Sequence, residues 1–585
     1  MKKIINKHED IVAEMSNGIV SAHPELTVIS KYRVIRKKAL NSNKVTLISG
    51  GGSGHEPAHA GFIGEGLLDA AVCGEVFSSP SQMRVYGGIT ECAGDKGVLL
   101  IIKNYSGDIM NFTNAAHMAA EDGVEVDFVK VDDDIAVQDS LYTVGRRGVA
   151  GTIFVHKVAG AAAEMGMSLT EVKRLAEKTA KNVKSIGFAL TSCTVPAKGS
   201  PTFELGGDEI EYGVGIHGEP GIRRESIAQS SELAKRMTDA ICDELKLQET
   251  GDNRVALLIN GFGATPLMEL YILNNDVTRE LSENGYTIAR TFVGNFMTSL
   301  DMSGASVSVL LLDEELERLL NAPCSSPALK ISGKAEQTPY TNHFEMPANT
   351  GEVSYTAATP EEYAYIGETL TTDNMIYIVD VMAQSIIKNE VEFCELDSHA
   401  GDGDFGASVA SGFRQLKSEW ESIIAQPELT IGGFLNAAAL VIMEYCGGAS
   451  GPIWGSAFRA AARRTGEKSA LSVRDFADML TAAVKGIQDI GERSFGRGAV
   501  LGDKTLIDAL IPCAESWDKS ASANASFINA FADGAKAATD GAEKTRDIVA
   551  RMGRAGALGE RSLGHPDAGA HALGVIFTDI ANSLR

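Results

Sequence analysis

The chain has 585 residues, 44% hydrophobic and 22% charged, a composition typical of a soluble globular protein with room for roughly two to four domains. Its formal net charge of −24 argues against nucleic acid or anionic membrane as the main partner, because both call for a basic face. No apolar stretch approaches membrane-spanning length, the charged start Met1-Lys2-Lys3-Ile4-Ile5 lacks the apolar run of a signal peptide, and the eight scattered cysteines suit buried thiols in a reducing compartment; the expectation is a cytoplasmic protein.

In chain order, residues 1–330 alternate β-branched runs with helical patterns and predict an α/β domain of two lobes meeting near 185. Strands are expected at 45–49, 97–102 and 124–129, then, after a helix near 168–183, at 186–190, 254–259, 288–292 and 306–311. From about 323 to 356 the texture turns Pro-, Ser-, Thr- and Asn-rich, and residues 331–356 are assigned as a linker. Residues 357–585 lose the strand signal. Ala- and Leu-rich segments at 374–390, 405–424, 432–446, 472–490, 504–519, 525–539 and 569–583 predict an all-α domain, a bundle of about eight helices.

The most telling motif is Gly401-Asp402-Gly403-Asp404-Phe405-Gly406, with Asp397 upstream. Three carboxylates on a glycine-permitted turn form a hard-oxygen cluster suited to Mg²⁺ and nucleotide phosphates, so phosphoryl transfer is the first hypothesis, against an ordinary solvated turn. In the α/β half, Gly50-Gly51-Gly52-Ser53-Gly54-His55-Glu56-Pro57-Ala58-His59 follows a strand and leads toward a helical pattern, the usual ligand position of such folds. His55 and His59 also match the zincin spacing, but Pro57 and the glycines place them at a helix start rather than inside a helix. His217, in Gly215-Ile216-His217-Gly218-Glu219-Pro220-Gly221, is either a surface turn residue or a nucleophile or base. Asp108, past a strand end in Lys103-Asn104-Tyr105-Ser106-Gly107-Asp108, is a candidate base and equally a helix N-cap. Gly447-Gly448-Ala449-Ser450-Gly451 offers an amide nest for phosphate, and Gly502-Asp503-Lys504-Thr505-Leu506 opens a helix. Arg554, Gly559-Glu560-Arg561-Ser562 and Gly564-His565-Pro566-Asp567-Ala568-Gly569 form a polar, glycine-rich stretch between helices.

Taken together, in this order and over nearly the whole chain, these motifs resemble the single-chain, ATP-dependent dihydroxyacetone kinase family. The resemblance implies an α/β substrate domain and a helical barrel for Mg-ATP. It implies covalent capture of a short ketose, dihydroxyacetone foremost, as a hemiaminal on His217, with Asp108 and His55 as further catalytic residues and Gly52, Ser53, Gly54 and Lys103 lining the substrate pocket. Asp397, Asp402 and Asp404 would hold two Mg²⁺ ions across the interface between the domains. Nucleotide contacts would come from Asp402, Gly403, Asp404, Phe405, Gly448, Ala449, Ser450, Gly451, Gly498, Thr505, Leu506, Arg554, Asp567, Ala568 and Gly569. Because both halves are fused and the acidic loop is intact, the resemblance implies direct use of ATP rather than a phosphoenolpyruvate-driven relay between separate subunits. It also suggests a homodimer, by analogy alone.

The chain departs from the family pattern at Phe405, Arg497, Leu501, Ala568 and Glu75, which leaves nucleotide contacts and ketose choice open. Erythrulose or glyceraldehyde is the alternative substrate. A flavin-nucleotide cyclase side activity, a zinc hydrolase on His55 and His59, and a non-catalytic ketose sensor are the competing readings.

Overall fold

The computed structural model describes residues 2–137, 145–247, 251, 253–336, 339–344 and 359–585, apart from the side chains of Arg554 and Ala557. The chain divides into two compact units, Met1–Glu345 and Met346–Arg585.

The first unit opens with helix α1 (Ile11–Ala22) and a six-stranded sheet of β1 (Leu26–Ile29), β2 (Val34–Lys37), β3 (Thr46–Ser53), β4 (Ala70–Val76), β5 (Val98–Lys103) and β6 (Val126–Val131). Its order is β1-β2-β4-β3-β5-β6, and β3 runs parallel to β4 and β5, with Ile48 beside Ala70 and Leu100. Helix α2 (Gln82–Cys92) joins β4 to β5, α3 (Ser106–Glu121) joins β5 to β6, and α4 (Thr152–Glu164) and α5 (Leu169–Asn182) follow β6. The second sheet contains β7 (Val183–Ala189), β8 (Glu209–Tyr212), β9 (Arg223–Ser226), β10 (Arg254–Gly261), β11 (Thr287–Gly294) and β12 (Gly304–Leu311), in the order β11-β10-β12-β7-β8-β9. It is flanked by α6 (Ser230–Leu245), α7 (Leu267–Glu283) and α8 (Glu314–Leu320).

Period-two alternation explains why these strands read as continuous apolar runs. On β5, Leu99 and Ile101 enter one core while Val98, Leu100 and Ile102 enter the opposite one; on β10, Ala256 and Leu258 part company with Val255, Leu257 and Ile259 in the same way. Both faces of each strand are buried, as central strands with packed layers on both sides require. Gly50, Gly51 and Gly52, expected as a loop, continue β3: Gly50 pairs with Val72 and Gly51 with Cys73, so tertiary pairing overrides low strand propensity. The expected helix after them is a short turn, with a 3₁₀ segment at Ala60–Phe62.

The Pro- and Ser-rich stretch from 323 begins as folded chain. Cys324–Ser325 (β13) pairs with Lys330–Ile331 (β14), Ser325 N–H donates to the Glu65 carbonyl, and Cys324, Leu329 and Ile331 are buried. Residues 337, 338 and 345–356 of the expected linker lie outside the described residues.

The second unit contains α9 (Thr372–Lys388), α10 (Glu390–Asp397), α11 (Phe405–Ser418), α12 (Trp420–Ile424), α13 (Ile431–Tyr445), α14 (Ser450–Thr465), α15 (Val473–Phe495), α16 (Ile507–Ser522), α17 (Phe527–Lys544) and α18 (Ala568–Ser583). Among its described residues the strands are two short ones, β15 (Leu370–Thr371) paired with β16 (Ala470–Leu471). One continuous core runs through the bundle, with Trp517 fully buried against Phe476 and Phe531. The segment 405–424, expected as one helix, breaks at Glu419, which ends α11 and caps α12. Helix α14 is absent from the sequence expectation because Gly451, Pro452 and Gly455 dilute its periodicity; Gly455 lies where a Cβ would meet the Met443 side chain at 2.2 Å.

Candidate functional site

In the first unit, the carboxyl ends of β3 and β5 and the loop between β8 and β9 converge on two histidines. Gly52 allows the approach: a Cβ there would lie 2.7 Å from the backbone of Phe77 and Ser78. His55 is fully buried and its Nδ1 lies 2.8 Å from the carbonyl oxygen of Thr298. A carbonyl only accepts, so Nδ1 carries the proton and Nε2 is left as the acceptor. That Nε2 lies 3.1 Å from Nε2 of His217. The rings meet edge to face at 4.7 Å, Phe77 stacks on His55 at 5.2 Å, and Tyr105 contacts His217 at 4.5 Å.

Burial holds both imidazoles well below their ordinary pKa; Lys103 adds to this at His55, and His55, Lys103 and Arg147 add to it at His217. Lys103 is itself fully buried, and its Nζ has no hydrogen-bond partner among the described residues. Both Lys103 Nζ and Asp108 Oδ2 flank Gly51, at 3.3 and 3.4 Å from where a Cβ would stand. Burial raises the Asp108 carboxyl above its usual range, against the pull of Lys103 and a Ser79 hydrogen bond. Asp108 is not the N-cap of α3: that position is Tyr105, and Asp108 sits inside the first turn. Ser53 Oγ donates to the Gly74 carbonyl at 2.8 Å, and Gly54 N–H to Glu56 at 2.9 Å, so both residues brace the loop.

The zincin reading does not survive this geometry. His59 turns to Ser49 (3.2 Å) and His156 (3.1 Å), while His55 engages Thr298 and His217, and neither histidine lies on an α-helix. Among the described residues, the group of acidic or thiol and imidazole side chains able to hold a metal is Asp397, Asp402 and Asp404.

In the second unit those three carboxylates offer ligand oxygens all within 4.8 Å of one another. Asp397 ends α10, Asp404 precedes α11, and Gly403 N–H donates to Asp397 Oδ2 at 2.9 Å. Gly401 leaves room for that carboxylate, since a Cβ there would meet Asp397 Oδ1 at 2.3 Å and displace it. An all-oxygen set of clustered negative charge fits Mg²⁺. A cleft beside it is lined by Asp397, Asp404, Phe405, Gly448, Ala449, Ser450, Thr505, Leu506, Asp567, Ala568 and Gly569. Asp402, Gly403 and Gly451 are not among the residues that line it. Gly498 does not reach it and packs on Gln488 of α15 instead. The Arg554 side chain lies outside the described part of the structure.

Further cleft residues lie outside the expected nucleotide contacts: His399 and Trp454, which no motif marked, and His565, which belongs to the polar stretch after Gly564. His399 and His565 stack at 3.7 Å. Lys504 is buried and donates to the carbonyls of Ser562 and His565, tying the last loop to the start of α16. Burial pushes the Asp567 carboxyl up to about 7.

The departures from the family pattern are accommodated locally. Phe405 opens α11 and packs near Phe393, with ring centroids 6.2 Å apart. Arg497 pairs with Asp503 and donates to the Arg551 carbonyl at 3.1 Å. Ala568 starts α18, whose cap remains intact through Asp567 Oδ1 accepting from Ala570 N–H at 2.8 Å. Leu501 is half exposed and Glu75 pairs with Arg33 and Arg84.

Known proteins carry the same organisation. Residues 17–328 match the Dak1 domain and residues 399–582 the DAK2 domain. The chain is 34% identical to the L-erythrulose 1-kinase of Mycolicibacterium smegmatis over 100% of both chains. It is 52% identical to the dihydroxyacetone-binding subunit DhaK of the PTS-dependent dihydroxyacetone kinase 1 of Listeria innocua, over 54% of this chain and 95% of that one. Among solved structures it resembles the dihydroxyacetone kinase from C. freundii in complex with AMP-PNP and Mg²⁺, at 30% identity and a TM-score of 0.58, covering 100% of this chain and 99% of the other. Fold and matches define a two-domain, ATP-dependent kinase. The chain belongs to the single-chain dihydroxyacetone kinase family.

Proposed function

We propose that this kinase phosphorylates a short ketose, dihydroxyacetone foremost, held covalently on His217. The observation that carries this reading is the buried His55–His217 pair, with facing Nε2 atoms 3.1 Å apart and both rings kept neutral by burial. As Nε2 of His217 adds to the ketone carbon, its proton passes to Nε2 of His55. The carbonyl π pair moves to oxygen, which takes that proton back, and a neutral hemiaminal results. Lys103, whose Nζ has no hydrogen-bond partner among the described residues, supplies a donor for a substrate hydroxyl. Asp108, whose basicity burial raises, accepts the proton of the hydroxyl that attacks the γ-phosphorus, and ADP leaves as the terminal P–O bond breaks.

Asp397, Asp402 and Asp404 would hold Mg²⁺, two ions in this reading, and bound Mg²⁺ would neutralise charge on the ATP phosphates. The amides at the start of α14, at Ser450 and Gly451, present partial positive charge toward the phosphates. Erythrulose is the second substrate of this reading, favoured by the full-length match to a kinase of that name. The reading also includes a cytoplasmic homodimer, which sedimentation velocity measures.

A coupled ADP-release assay over dihydroxyacetone, erythrulose, glyceraldehyde and glycerol tests it. Turnover is expected with the carbonyl substrates, fastest with dihydroxyacetone, and not with glycerol; turnover of none retires the ketose reading.

A pH dependence follows from burial. An ordinary imidazole protonates near pH 6.5, whereas His217 holds its pKa well below that, so the neutral nucleophile persists as pH falls through this range. Adduct formation with carbon-13-labelled dihydroxyacetone, followed by NMR, is expected to show no inflection near 6.5. An inflection there would contradict a buried neutral nucleophile.

A further inference from the structure

The geometry points to Glu219 as a positioning residue of the ketose site: clamped by Arg147, its carboxylate holds the loop that presents His217. The inference rests on the reading that His217 captures the carbonyl. Glu219 Oε2 accepts the backbone N–H of His217 at 2.8 Å, and Glu219 Oε1 accepts from Arg147 Nη1 at 3.3 Å. Arg147 also donates from Nε to Asp134 Oδ2 at 2.6 Å and from Nη2 to the Gly213 carbonyl at 2.7 Å. The guanidinium thereby ties Asp134, just past β6, to Gly213 at the start of the His217 loop and to Glu219 two residues beyond the histidine. All three charged side chains are at most 4% exposed.

A buried ion network is a poor source of stability, because desolvation offsets most of its attraction. Here it fixes a conformation. Gly215 shows how closely the clamp is fitted: a Cβ there would lie 1.8 Å from Glu219 Oε1 and 2.7 Å from Arg147 Nη1. Tyr105 packs on the His217 ring at 4.5 Å, so the loop is held through its backbone by Glu219 and its imidazole by an aromatic face. A small ketose offers few contacts of its own, and the aim of the nucleophile then controls capture.

The test uses the full chain carrying Glu219→Gln, which keeps volume but loses the charge that retains Arg147, and separately Gly215→Ala, which displaces the carboxylate from the other side. NMR with [2-¹³C]dihydroxyacetone reads the adduct directly, and steady-state kinetics gives KM for ketose and for ATP. Both variants are expected to raise the ketose KM at least about tenfold and to lose adduct signal, with the ATP KM unchanged. A wild-type enzyme without adduct overturns the covalent reading itself. Wild-type adduct that persists in both variants with unchanged ketose KM overturns the role of Glu219, and so does a loss of adduct that comes only with equal loss of ATP binding.

Discussion

Replacing His217 with alanine is expected to lower kcat/KM for dihydroxyacetone by about 10²–10⁴-fold, mainly through KM, and to erase the preference for ketones over glycerol. The substrate has three carbons, so noncovalent contacts give it little orientation. In the proposed mechanism, a covalent bond to a ring held by Glu219, Tyr105 and His55 would supply that orientation at once. Well-oriented intramolecular groups reach effective molarities of about 10⁵–10⁸ M, and the contacts proposed to Lys103 and Asp108 would recover only part of that. Glycerol has no carbonyl and gains nothing from His217 in the wild type. Coupled ADP release with both substrates decides the matter: an unchanged ketone-to-glycerol ratio in the variant would remove covalent capture from the mechanism.

The second large effect is expected in the other unit. Asp402→Asn removes one negative charge from three carboxylates whose oxygens lie within 4.8 Å of one another, while changing side-chain volume little. Mg²⁺ prefers charged oxygen ligands, so its nucleotide-linked affinity is expected to fall about 10–100-fold. Titration calorimetry with ADP at several Mg²⁺ concentrations measures this. Ketose adduct on the same variant reports that the α/β unit is still intact. Magnesium dependence identical to wild type would reassign the ligands.

Much of the architecture could be read from periodicity. Leu99–Ile102 and Leu257–Ile259 are apolar at every position because both faces of β5 and β10 are covered, and helices α15 and α17 carry apolar residues on one stripe. Local motifs were equally legible. The three aspartates fall within eight consecutive residues, Asp397 to Asp404, so their chemistry is visible without the fold. Periodicity failed where the signal was short or diluted: β8 and β9 have four residues each, and glycine and proline interrupt α14.

The sequence alone therefore determined which side chains are available, where the α/β texture gives way to helices, and that a turn of carboxylates suits a metal–phosphate centre. Only the tertiary structure decided which of them meet. His55 finds His217 across 162 positions and Arg147 finds Glu219 across 72, while His59, four residues from His55, turns away to His156. Local pattern reports the face a residue occupies on its own element. Which two faces are pressed together, and which imidazole loses its water, depends on sheet order and on loops closing over long separations, and neither leaves a period in the sequence.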